Sequence, residues 1–156
     1  MHIKTVALSL GFILAAGVLH AASPQMGTWK LNESKSKLTP HTTKNTTVVY
    51  SSGIMTMGKV KVTTDGTGPN GKPVHAEWMG QFDGKDYSVT GDPTSDTRAY
   101  TAVNERTLQM SVKKNGKAVA NGRVVVSADG KSRTVTLNGT TPKGKKFKNI
   151  AVYDKQ

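Results

Sequence analysis

An all-β fold, an antiparallel up-and-down β-barrel of 8–10 strands, is what this sequence predicts, and three observations predict it. Beyond residue 22 the chain holds 14 Val and 19 Thr against 4 Leu and 2 Ile, the side chains of a pleated, half-buried surface. Short runs alternate apolar and polar residues with the period of a strand, clearest at Leu108, Met110 and Val112 and at Val74, Ala76, Trp78, Gly80 and Phe82. Between the runs stand Asn70-Gly71-Lys72, Asp83-Gly84-Lys85, Asn115-Gly116-Lys117, Asp129-Gly130-Lys131 and Lys143-Gly144-Lys145, where glycine supplies the positive φ of a tight hairpin. Their glycines are 13, 32, 14 and 14 residues apart, one strand and one turn per interval once the 32 is divided at Gly91-Asp92-Pro93 and near Asn104.

A low apolar content argues the other way. Leu, Ile, Val and Phe make up 22 of the 134 residues after position 22, a level that, with this much charge, suits disorder. Disordered chains have no need of regular alternation, and a hollow barrel needs fewer large apolar side chains than a filled core.

In chain order, Lys4 precedes a 14-residue apolar run, Val6 to Leu19, followed by Ala21-Ala22-Ser23. That is shorter than the ~20 residues of a bilayer span and has the build of a secretory signal peptide. Residues 1–22 are therefore expected to be removed, leaving 23–156 as a single β-barrel domain, periplasmic or secreted, with no transmembrane segment in the mature chain. The chain has no cysteine, so neither disulfides nor lipid attachment at a cysteine is available to it.

Gly27-Thr28-Trp29 opens the first strand, 27–32, with a glycine two residues before an indole that can lie across a closed barrel end. The pattern places nine more strands at 46–51, 54–64, 73–82, 86–90, 96–103, 107–114, 117–127, 132–139 and 146–153. Within the third, Ile54 to Met57 is apolar on both faces, with Gly58 a candidate bulge, and in the last, Phe147 to Tyr153 leaves the inward face undecided. The connections are too short for parallel crossovers, so sequence neighbours pair antiparallel, and closure of the meander removes two open edges.

Gly27-Thr28-Trp29-Lys30-Leu31-Asn32 with Lys35-Ser36-Lys37, Asp83-Gly84-Lys85-Asp86-Tyr87 with Val89-Thr90-Gly91, and Asn149-Ile150-Ala151-Val152-Tyr153-Asp154-Lys155-Gln156 together carry a resemblance. The chain is similar to small exported bacterial proteins described as lipocalin-like, within the wider calycin group of ligand-binding barrels. The resemblance implies a barrel with a cavity. Two features of true lipocalins are missing: a Thr-Asp-Tyr motif, and an arginine near the chain end to pack on the first-strand Trp, for which Lys148 or Lys155 would substitute.

An up-and-down barrel sends alternate turns to the same end. The turns after odd-numbered strands carry Lys35, Lys37, Lys44, Lys72, Lys113, Lys114, Lys117, Lys143, Lys145 and Lys146 against Glu33, Asp65, Asp92 and Asp96, 10 less 4, or +6. The opposite rim, which has Trp29, carries Lys85, Arg106, Lys131 and Arg133 against Asp83, Asp86, Glu105 and Asp129, which is neutral. A cationic mouth on a low-dielectric cavity concentrates anions. The leading expectation is thus a small anionic amphiphile bound in the barrel with Lys72, Lys113, Lys114, Lys117, Lys143, Lys145 and Lys146 at its mouth. Lysines also gather at hairpin turns for solubility, the simpler account of the same charges.

Candidate ligand-binding side chains are Trp78, Phe82 and Met110 on inward faces, and Arg98 with Tyr100, two apart and so on one strand face. Their spacing resembles that of the Arg and Tyr with which fatty-acid-binding proteins clamp a carboxylate, but on the sixth strand and not the last. Trp78 and Met110 serve equally as plain core, and an outward Arg98 is the simpler expectation. No catalytic residue, metal site or cofactor is expected. His41 and His75, the two histidines beyond residue 22, lie in no ligand spacing, and His75 with Glu77 reads as an outward cross-strand pair. A charge of +11 after residue 22, 21 Lys and Arg less 10 Asp and Glu, also suits an anionic envelope polymer with no internal ligand. Nucleic acid is disfavoured, for want of a basic stripe interleaved with exposed aromatics.

Overall fold

The computed structural model describes residues 23–156, so the expected signal peptide, 1–22, lies outside the described residues. Ten strands follow one another: β1 (Gly27–Leu31), β2 (Lys44–Ser52), β3 (Val60–Thr67), β4 (Pro73–Gly80), β5 (Tyr87–Thr90), β6 (Thr97–Asn104), β7 (Thr107–Lys114), β8 (Lys117–Val126), β9 (Ser132–Thr140) and β10 (Lys146–Lys155). Each pairs antiparallel with the next, and β10 pairs with β1 through Trp29–Lys155, Lys30–Asp154 and Leu31–Tyr153, so the sheet closes on itself. This is the meander that short Gly-bearing turns require: Gly71, Gly84, Gly116, Gly130 and Gly144 all have φ between +70° and +80°.

Most boundaries fall within three residues of expectation, and two differences bear on the sites described below. The third strand begins at Val60 and not at residue 54, because Ile54–Thr56 forms a 3-10 turn. Its cause is Thr56, whose hydroxyl accepts from Gly53 N–H and shares its single proton between the Lys59 and Gly53 carbonyls, closing the loop on itself. The fourth strand ends at Gly80, leaving Phe82 outside it; Phe82 instead accepts from the Ala102 amide through its carbonyl and turns its ring inward.

Cross-strand partners share a face, and the register shows which face is inner. One inward row runs Val62, Trp78, Val89; another Tyr100, Met110, Gly122, Leu137, Asn149; a third Val126, Arg133, Tyr153, Leu31. In β10 the inward residues are Phe147, Asn149, Ala151 and Tyr153, which settles the strand that the sequence left open. Small residues make the row lengths fit. A Cβ on Gly80 would stand 2.5 Å from the Tyr87 ring and 2.6 Å from the Trp78 indole, so β4 must be bare there for both aromatics to enter.

Candidate functional site

Of the five side chains expected to line a cavity, all turn inward, and four form one packed cluster. The Trp78 ring lies 4.9 Å from Tyr100 edge to face, 6.3 Å from Phe82 in a stacked arrangement, and Tyr87 closes its other edge at 5.7 Å. Tyr50 reaches the same group from β2, 6.4 Å from both Phe82 and Tyr100. Trp78 Nε1 donates to the Arg98 carbonyl at 2.8 Å, which fixes the indole against β6. Met110 packs into the same core from β7.

Arg98 corrects the expectation of an outward side chain. It points into the barrel beside Tyr100, with Nη1 3.5 Å from the Tyr100 hydroxyl. The clamp spacing is real, and its anion is internal: Arg98 Nη2 lies 3.3 Å from Asp92 Oδ2, in an ion pair almost wholly out of water. The β5–β6 turn brings Asp92 there, and its carboxylate also accepts from Ser95 Oγ at 2.6 Å and from the Thr94 amide and hydroxyl at 2.8 and 2.7 Å. Burial works against the Arg98 charge, and Tyr100, Asp92 and Tyr50 outweigh it, so its pKa is raised. The sequence marked Gly91-Asp92-Pro93 only as a turn; nothing in its spacing tells that the aspartate folds inward.

The opposite end is sealed. Trp29 is 0% exposed, and its Nε1 donates to the Gln25 carbonyl at 3.0 Å, which seats the segment before β1 beneath the indole. Two cations face it: Lys155 Nζ at 5.1 Å from the ring centroid, and the Arg133 guanidinium at 5.0 Å. The arginine that the chain end lacks is supplied by β9. Arg133, counted from sequence as a rim charge, is 2% exposed and sits between the rings of Trp29, Tyr50 and Tyr153 at 4.7–5.0 Å. No carboxylate meets it among the described residues, so π faces hold its charge. Burial, the larger effect, pushes the Tyr153 hydroxyl up to about 12 despite this neighbour.

The rim expected to be the mouth does hold the lysine-bearing turns, with two corrections. Lys113 is on the outer wall, paired with Asp86, which the sequence had placed on the far rim, and Lys114 is paired with Asp96 at 2.7 Å. Lys72, Lys117, Lys143, Lys145 and Lys146 are exposed and in no ion pair among the described residues. The β1–β2 loop runs along β10 at this end. Lys37 bridges Ile150, the Asn149 side chain accepts from the Thr39 amide at 2.7 Å and donates to Thr42 Oγ1 at 2.9 Å, and Leu38 packs on the core. Between this strap and the β3–β4 turn lies a cleft of about 580 Å³, lined by Leu38 to Thr42, Lys44 and Thr67 to Gly71. Leu38 and His41 were not among the expected site residues, because what holds their strap at the rim is Asn149, more than 100 positions along the chain. A second recess of about 500 Å³ opens over β6–β9, with Gln109, Asn121, Arg123 and Asn138 among its lining.

His75 and Glu77 point outward, as their alternation implies. His75 Nδ1 stands 2.6 Å from Asp65 Oδ1 and Nε2 3.6 Å from Glu77, which also pairs with Lys61 at 2.9 Å. Among the described residues no group of three or more His, Cys, Asp or Glu is placed to hold a metal ion, and no helix is long and apolar enough to cross a membrane. No protein-family model matches the chain, and neither does any curated protein.

Proposed function

We propose that this is an exported, non-enzymatic binding protein of lipocalin-like kinship that takes a small anionic amphiphile at its lysine-bearing rim, in the cleft between the β1–β2 strap and the β3–β4 turn. One observation carries the reading: Trp78, Phe82, Tyr100 and Arg98 are packed on one another and on Asp92, while the recess at the cationic end stays open. Leu38, Pro40 and Pro69 offer an apolar floor for a short tail, and Lys72 in the adjoining turn offers unpaired charge for a carboxylate or phosphate, beside Lys44, which Glu33 already pairs at 3.2 Å.

Titration with dodecanoate and dodecyl phosphate, followed by amide chemical shifts, tests this. Saturable shifts are expected in residues 38–44 and 67–72, strengthening with tail length. Emission from Trp29 and Trp78, 0% and 1% exposed, is expected to stay unchanged. No response, or a shifted tryptophan emission with no response at the rim, overturns the proposal. The seven rim lysines in no ion pair among the described residues, Lys35, Lys37, Lys72, Lys117, Lys143, Lys145 and Lys146, support a second reading, adhesion to an anionic envelope polymer. Such binding falls steeply with salt and is indifferent to a tail.

A further inference from the structure

The large apolar side chains that the described residues expose are gathered at one end. Ile54, Met55 and Met57 are 96%, 95% and 81% exposed, and Met79, Val103 and Val125 each stand one residue from the Trp29 ends of β4, β6 and β8. Burying such groups is the usual outcome of folding, so three adjacent ones left in water at the tip of a closed loop require a reason. The loop is not slack. The Thr56 hydroxyl ties Gly53 to Lys59 across its base, and Met57, at φ +50°, turns the chain so that Ile54, Met55 and Met57 all project.

We infer that the β2–β3 loop is a lipid-contacting tip, inserting Ile54, Met55 and Met57 into the interfacial layer of a bilayer with the barrel standing on its Trp29 end. Three side chains on a convex tip fall short of the ~800 Å² that each partner of a stable protein interface buries, whereas a bilayer accepts a small protruding apolar wedge. Charge agrees. The bends of this end carry Lys59, Lys85, Arg106 and Lys131 against Asp83, Asp86, Glu105 and Asp129, four against four, so no strong field of either sign opposes approach to headgroups. The exposed lysines of the cationic rim, Lys72, Lys117, Lys143, Lys145 and Lys146, lie at the far end, away from the surface. The inference stands apart from the rim cleft, which it leaves open to water.

Flotation of the purified protein with phosphatidylcholine vesicles, and with vesicles containing phosphatidylglycerol, decides it. Association with both, little changed by salt, is expected, and Ile54→Ser/Met55→Ser/Met57→Ser should lower it at least about tenfold while leaving the thermal midpoint unchanged. Three outcomes overturn the inference: no flotation with either vesicle; flotation only with phosphatidylglycerol that salt removes and the triple variant keeps, which points to the lysines; or a concentration-dependent dimer that the triple variant abolishes, which makes the occupant a second copy of this chain.

Discussion

Arg98 and Arg133 bury two guanidinium groups by different means, and removing those means has different consequences. Arg98 depends on a carboxylate, so Asp92→Asn leaves a charge without its counter-ion and is expected to cost about 3 kcal/mol in urea unfolding. Asp92→Asn combined with Arg98→Met should recover much of that loss. Arg133 depends on three rings, so Arg133→Ala, which opens a hole between Trp29, Tyr50 and Tyr153, is expected to cost about 2–4 kcal/mol, and Arg133→Met, which fills it, clearly less. Equal losses for Ala and Met would show that the charge and not the volume matters. On the outer wall, the His75 pKa is raised, first by its hydrogen bond with Asp65, then by the charge of Asp65 and, against an opposing effect of partial desolvation, by Glu77. The sign follows: its stabilisation is complete below the unfolded value of about 6.5 and is lost as pH rises through the higher folded value. Proton chemical shifts of the ring are expected to report a midpoint above 6.5 that falls towards it in Asp65→Asn. A midpoint already at or below 6.5 would mean that the pair does not form in solution.

Among the elements, β4 and β5 are shaped by one missing side chain. Gly80→Ala drives a methyl into Tyr87 and Trp78 and is expected to destabilise by about 1–3 kcal/mol, with the near-ultraviolet circular dichroism of the aromatic cluster altered. An unchanged spectrum would mean that β4 can shift to make room. The sequence told of nine strands within a few residues because alternation and X-Gly-Lys turns are local signals, settled by side chains adjacent in the chain. It misplaced the start of β3 for the same reason. Ile54, Met55 and Met57 have strand composition, and only Thr56 closing a hydrogen-bonded loop between Gly53 and Lys59 takes them out of the sheet. In the same way Phe82 reads as the next inward residue of a strand that the structure has already ended.

At the scale of the molecule the two ends differ: an aromatic seal with an apolar tip at one, lysine-bearing turns and a cleft at the other. Reversing charge at Lys143, Lys145 and Lys146 to Glu is expected to slow association with dodecyl phosphate severalfold at low ionic strength and to make little difference at high salt. Stopped-flow rates over a salt series measure it, and a difference that persists undiminished at high salt would place those lysines in direct contact with the ligand. The all-β class, the antiparallel meander, the inward faces of most strands and the segregation of lysines to one rim are all legible in the residues, since each follows from period, turn chemistry and connection length. Only the tertiary structure decided that Arg98 finds its anion in Asp92, that Arg133 seals the Trp29 end, that Asn149 straps the β1–β2 loop across the rim, and that Lys113 and Lys114 are neutralised by acids. Those are choices of partner between residues brought together by the curvature of the closed sheet, and curvature leaves no trace in the local alternation of side chains.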